Sequence, residues 1–189
     1  MAPTFEQIDS EVKKIRNYVF HDLELIVKQQ TGGNYAAIAI MLCACDLFAR
    51  LRYCRRDEGW RFVVDYMGTL NANYAKIGKT LYDALRHGIV HSYETKKVRI
   101  GNRLIDFGIS WREKQHFSVD SEKSRIHINV PAIHSDLTQA FEAYVEDLKK
   151  NGQLRDNFRN MLRKDAETAP KDESEKKALL AYFNSASRE

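Results

Sequence analysis

At 189 residues the chain has the length of one globular domain with an elaboration, too short for two independent cores. With 43% apolar residues, 11% aromatics and three prolines it can bury a real core, which excludes wholesale disorder. Its 30 basic and 26 acidic residues leave a formal charge of only +4, so overall basicity identifies no partner and the clustering of charge has to be read instead.

In chain order, Phe5, Ile8, Val12, Ile15, Val19, Leu23 and Ile26 recur at steps of three and four, which predicts one apolar face of a long helix ending at Thr31-Gly32-Gly33. Asn34 is an N-cap candidate for a second helix running to about Arg56, closed by Asp57-Glu58-Gly59. Its cysteines, Cys43 and Cys45, together with Cys54, form no CxxC pair, and as small hydrophobes in an apolar stretch they are expected to be buried free thiols. The N-terminus lacks a basic start followed by an apolar run. The most apolar stretch, Tyr35 to Ala49, is interrupted by Asp46 and followed by Arg50, so a cytoplasmic protein with no membrane attachment is expected.

A shorter helical piece from Trp60 to about Leu70 precedes a break at Asn71 to Asn73, then a helix with Tyr74, Ile77, Leu81 and Leu85 on one face. Gly88 and the β-branched pair Ile89-Val90 weaken helix propensity at its end, which predicts fraying or a kink there. From Thr95 to Val130 the period shortens to two, predicting a small antiparallel β insertion at about 95–130, with turns at Gly101-Asn102 and at Asp120 to Ser124. Pro131 opens a return to helix with Leu137, Phe141, Tyr144, Val145 and Leu148 on one face. Asn151-Gly152 interrupts it, and helix resumes to about Lys164. The expected organisation is a helical unit over 1–168 and a C-terminal helical extension over 169–189, in a mainly α chain of α+β class.

Arg86 and His91 are the residues expected to carry chemistry. An imidazole moves protons near neutral pH, and a fixed guanidinium holds the negative charge that builds on phosphate oxygens, which together suit RNA cleavage without a metal or other cofactor. Arg16 and His21 show the same spacing, but inside the long first helix, where an uninterrupted α-helix turns residues five apart away from each other. Two basic groups are candidates for holding phosphate: Arg50 and Arg52 with Arg55 and Arg56, and Lys96 and Lys97 with Arg99 and Arg103. Asp83 is expected to pair with Arg86 three residues on and to orient its guanidinium. In a rival reading Asp83, His87 and His91 step by four, a metal-ligand spacing, although HGIVH has Gly88 where a zinc protease has its catalytic Glu. The chain has no GxxxxGKS, GxGxxG or GxSxG element, so nucleotide hydrolysis and acyl transfer have no support.

The stretch LYDALRHGIVHSY resembles the signature of the HEPN superfamily: an Arg followed by a polar residue, here Arg86 and His87, then His91 after a short spacer at the end of a bundle helix. Tyr93 extends the match to the Arg-x-x-x-x-His-x-Tyr form of HEPN toxins paired with nucleotidyltransferase antitoxins, in which the tyrosine resembles an acceptor of adenylyl groups. The resemblance covers about a dozen residues. It implies an up-and-down helical bundle that forms homodimers, with two motifs facing a shared cleft in which RNA is cut, and an antitoxin as a partner. The β insertion and the long C-terminal part exceed a minimal toxin of this kind. The alternative is a catalytically inactive module that binds RNA or another protein.

Overall fold

The structure, a computed structural model, describes residues 5–29, 33–111, 114–165 and 172–186. Helix dominates it, with a small mixed sheet inserted between the sixth and seventh helices. The first apolar stripe forms α1 (Phe5–Ile15) and α2 (His21–Gln29), joined without a break by a π-helical segment at Arg16–Phe20. Ile8, Val12 and Leu23 from this stripe are buried, as its periodicity requires. Thr31 and Gly32, read as its end, lie outside the described residues.

The next helix, α3 (Asn34–Tyr53), starts one residue earlier than the capping signal suggests. Gly33, at φ 74°, is its N-cap, and Asn34 is already helical. It is long and apolar enough to cross a membrane, yet it is the central core helix here, with Ala37, Ile38, Phe48 and Ala49 fully buried. Of the three free cysteines only Cys45 is buried; Cys54 is intermediate and Cys43 is exposed, because it falls on the outer face of α3.

The chain continues through α4 (Gly59–Phe62), a second π-helical segment at Val63–Met67, and α5 (Gly68–Leu70). Asn71 then caps α6 (Ala72–Ser92), its side chain accepting from the Asn73 N–H at 3.0 Å, so the break is a single residue. Phe48, Phe62 and Phe141 meet in the core, with centroids 5.1 Å apart for the first two and 4.7 Å for Phe48 and Phe141. Burying each such ring contributes about 1.5–3 kcal/mol.

The insertion is a sheet of four strands in the order β1-β2-β4-β3. Gly101, at φ 58°, and Asn102 turn β1 (Val98–Ile100) back antiparallel onto β2 (Arg103–Ser110). After β3 (Val119–Asp120) the turn at 121–124 leads into β4 (Arg125–Asn129), as the turn residues indicate. The expectation of an antiparallel sheet fails at its centre. β4 slots between β2 and β3 and runs parallel to β2, with Asp106 opposite Arg125 and Ser110 opposite Asn129. Alternation decides which face of a strand is apolar and says nothing about which strand lies beside it. The apolar face agrees only in part with the alternation: Ile128 is buried against the helices together with Phe107, whereas Ile100 and Leu104, apolar in the same pattern, are exposed.

Asn129 ends β4 and caps α7 (Val130–Lys150), accepting from the Ala132 N–H at 2.9 Å, with Pro131 in the first turn. A half-buried polar joint ties sheet to helices here. The Asn129 N–H donates to His116 Nδ1 at 3.1 Å, so the neutral ring carries its proton on Nε2, which meets the Tyr74 hydroxyl at 2.8 Å. That hydroxyl donates to Asp136 on α7 at 3.0 Å. α8 (Gly152–Asp165) packs on α3 and α7, whereas every described side chain of α9 (Glu173–Ala186) except the half-buried Lys176 is exposed. The boundary read at residue 168 lies outside the described residues.

Candidate functional site

The end of α6 carries the motif. Arg86 is half-buried, its side chain 30% exposed, and Asp46 on α3 holds it: Nε donates to Oδ2 at 3.0 Å. The other oxygen of Asp46 accepts from the Tyr82 hydroxyl at 2.6 Å, one turn before Arg86 on α6. One carboxylate therefore fastens two side chains of the motif helix, and its bond to Arg86 raises the guanidinium pKa further above its ordinary value. Burial, with the bond to Asp46, pushes the Tyr82 hydroxyl up as well. Asp57, 85% exposed in the connection between α3 and α4, stands 3.7 Å from the Arg86 Nη2.

Gly59 belongs to the same arrangement. A methyl group at its Cα would run into the Tyr82 hydroxyl and lie 2.6 Å from Asp46 Oδ1, so only glycine lets α4 close over this pair. Asp83 does not orient Arg86. It binds Lys79 at 2.7 Å, one turn back on the exposed side of α6, and the carboxylate that fixes Arg86 comes from α3.

The expected kink is absent, since α6 stays helical to Ser92 and ends at Tyr93 in the left-handed region, φ 55°. His91 lies in its last turn, with its side chain outside the described residues. Five residues of α-helix separate Arg86 from His91 by about 140° around the axis and about 7.5 Å along it. His87 is exposed beside Arg86. Gly88 has a role different from loosening the helix: a Cβ there would collide with the Glu94 carbonyl and meet the Lys96 N at 2.7 Å. Through that gap the chain folds back along α6, the Glu94 N–H bonding Gly88 O at 3.4 Å and the Lys96 N–H bonding Ala84 O at 3.3 Å. Thr95 Oγ1 then donates to Asp106 on β2 at 3.0 Å, which fastens the returning segment to the sheet.

The second Arg/His pair differs from the motif in what binds it. Arg16 and His21 bracket the π-helical segment, so the His21 N–H bonds Arg16 O, and the argument from an uninterrupted α-helix does not apply to them. Arg16 is instead taken up by Glu142 on α7, Nε to Oε1 at 3.0 Å and Nη2 to Oε2 at 2.5 Å. The carboxylate takes up the Nε–Nη2 edge of that guanidinium.

The two basic groups also differ. Arg52 donates to the Tyr66 hydroxyl at 3.2 Å and lies over the Tyr53 ring, and Arg55 faces Glu58 at 3.4 Å, so much of the group around α3's end is engaged within the protein. Arg50 is half-buried. Lys96, Lys97, Arg99 and Arg103 are exposed, and among the described residues no carboxylate pairs with them. Tyr93 is 66% exposed, and its ring rests on Tyr35 from the first turn of α3, centroids 5.4 Å apart and 30° between planes.

Among the described residues no three His, Cys, Asp or Glu side chains converge as metal ligands. Asp46, Asp57, Tyr82 and Tyr35 are the members of this region that sequence reasoning missed. Asp46 alone carried a signal, as the one acid inside an apolar helical run. Comparison with protein-family models, with curated proteins and with solved structures returns no match.

Proposed function

We propose that the chain is a HEPN-type, metal-independent endoribonuclease acting at the end of α6. In this reading the His91 imidazole takes the proton of an RNA 2′-hydroxyl, whose oxygen attacks the adjacent phosphorus as the bond to the 5′-oxygen breaks. The 5′-oxygen leaves with a proton, and the products are a 2′,3′-cyclic phosphate and a 5′-hydroxyl. Arg86 neutralises the charge that builds on the phosphate oxygens. A homodimer completing the cleft, a nucleotidyltransferase-type antitoxin acting on Tyr93, and a role in defence belong to the same proposal through the motif's resemblance.

The observation that carries this reading is the fixing of Arg86. Asp46 binds it through Nε on one side, and the side chain stays 30% exposed, so a preorganised guanidinium stands at the surface in the motif helix. Arg16, with the same sequence spacing, differs in that one carboxylate, Glu142, grips it through both Nε and Nη2. The test is incubation of the purified chain with mixed RNA in EDTA, beside Arg86→Ala and His91→Ala. Cleavage by the wild type alone, leaving cyclic phosphate ends, is the expected result; undiminished cleavage by either variant overturns it.

A second reading, an inactive RNA-binding module, is favoured by the unbroken helicity of α6 through Ser92, which sets Arg86 and His91 on different sides of the helix. RNA bound and never cut by the wild type decides for this reading.

A further inference from the structure

We infer that Tyr93, stacked on Tyr35, is a platform for an unpaired RNA base, flanked by Lys96, Lys97 and Arg99 as phosphate contacts. The inference deepens the ribonuclease reading, on which it rests for its ligand, by naming single-stranded RNA as what this end of α6 receives and where one of its bases sits.

The platform is built by backbone geometry. Tyr93 occupies the left-handed C-cap position of α6, and its N–H bonds Ile89 O at 3.2 Å, so the ring projects from a fixed point at the helix end. Tyr35 supports one face of that ring, yet 66% of the residue remains exposed, which leaves the other face for a further ring. A large aromatic side chain costs apolar exposure to keep at the surface, and every nucleobase has a π-face able to cover it. The cations follow directly. Because Gly88 admits the returning chain, the Lys96 N–H is held at Ala84 O, and Lys96 and Lys97 run alongside the turns of α6 that bear Arg86 and His87. Arg99 continues the strip on β1, while Arg103, opposite Ile100, lies on the other face of the hairpin. The charges of the strip lack carboxylate partners among the described residues, whereas the basic group at the end of α3 is largely engaged by Tyr66, Tyr53 and Glu58. Exposed cations interleaved with a stacked ring suit an unpaired strand, whose bases are free to splay outward; a duplex keeps its bases stacked inside.

The test is fluorescence anisotropy of a labelled ten-nucleotide 2′-O-methyl oligoadenylate, which has no free 2′-hydroxyl and so is not cut, with a 20-base-pair RNA duplex alongside. Tyr93→Ala is expected to weaken binding of the single strand about tenfold, Tyr93→Phe to restore it, and the duplex to show no dependence on Tyr93. Equal single-strand affinity for wild type and Tyr93→Ala overturns the platform, and so does failure of the wild type to bind the single strand. Cleavage of unmodified RNA is followed on the same preparations. Tyr93-dependent binding without cleavage removes the ribonuclease reading and leaves the platform standing, whereas cleavage with Tyr93-independent binding does the reverse.

Discussion

Arg86 Nε donates to Asp46 Oδ2 across 3.0 Å, joining two helices through residues 40 positions apart in the chain. Both side chains are less than one-third exposed, so the bond is worth more than a surface ion pair and its loss strands a partly buried group. Asp46→Ala also leaves the Tyr82 hydroxyl without its acceptor. It should destabilise the fold by about 2 kcal/mol, measured by urea unfolding. In a double-mutant cycle with Arg86→Ala the coupling should reach about 1 kcal/mol. Strict additivity of the two substitutions would show that the pair is incidental. In the cleavage assay Asp46→Ala should lower kcat with little change in KM, since it acts through Arg86, whereas a purely structural role would move neither in active protein.

Gly88→Ala tests the return of the chain along α6. In an ordinary exposed helix this change stabilises by about 1 kcal/mol. Here the added methyl group meets the Glu94 carbonyl and the Lys96 N, so the sign should reverse to a loss of about 1–3 kcal/mol. Amide exchange at Lys96 should rise with it. A melting temperature at or above that of the wild type would contradict the contact.

The Arg16–Glu142 pair and Arg86 should separate in function. The former is 47% exposed on both sides, so Arg16→Ala should cost under about 1 kcal/mol and leave RNA cleavage unchanged. Arg86→Ala should reduce cleavage by about 100-fold or more. Equal losses for the two variants, in single-turnover assays on folded protein, would remove the distinction between the two spacings.

Acid should weaken the joint between sheet and helices. Burial holds the His116 imidazole down at about 4, against an ordinary value of 6.5, while its Nδ1 accepts from Asn129 and its Nε2 faces the Tyr74 hydroxyl. Between pH 6.5 and 4 the unfolded chain takes up a proton that the folded ring refuses, so stability falls as pH drops through this window, by about 2 kcal/mol. Asp136, raised by its burial, works in the opposite direction, because its charge is less favourable in the fold than in water. His116→Gln removes the first effect alone and should flatten the acid limb of a plot of stability against pH. An unchanged slope would rule out His116 as its source.

How far the fold was legible depends on whether a feature is local. The break at Asn71 before α6 and Pro131 at the start of α7 mark their helices because that chemistry resides in adjacent residues, and Gly101-Asn102 marks a turn for the same reason, whereas Asn129 as the cap of α7 is hidden by the strand pattern that runs through Val130. The π-helical segments at Arg16–Phe20 and Val63–Met67 leave no comparable mark in the sequence. The parallel pairing of β2 with β4 was likewise hidden, because Phe107 and Ile128 alternate as they would in either direction. At the site, Arg86 and its place at the end of α6 could be read directly, but its partner could not. Asp83 was the nearest carboxylate in sequence, and the one that binds comes from another helix. Gly88 was read as a weak point of the helix when its missing side chain is what lets the next segment pass.

The position of β4 has a bearing on how the insertion can be handled. Its last residue, Asn129, starts α7 and also donates through Nδ2 to the carbonyls of Trp111 and Lys114, at 2.8 and 3.3 Å. Residues 98–129 therefore do not behave as a cassette that can be excised by joining Lys97 to Val130. Such a shortened chain would lose the start signal of a core helix along with the sheet.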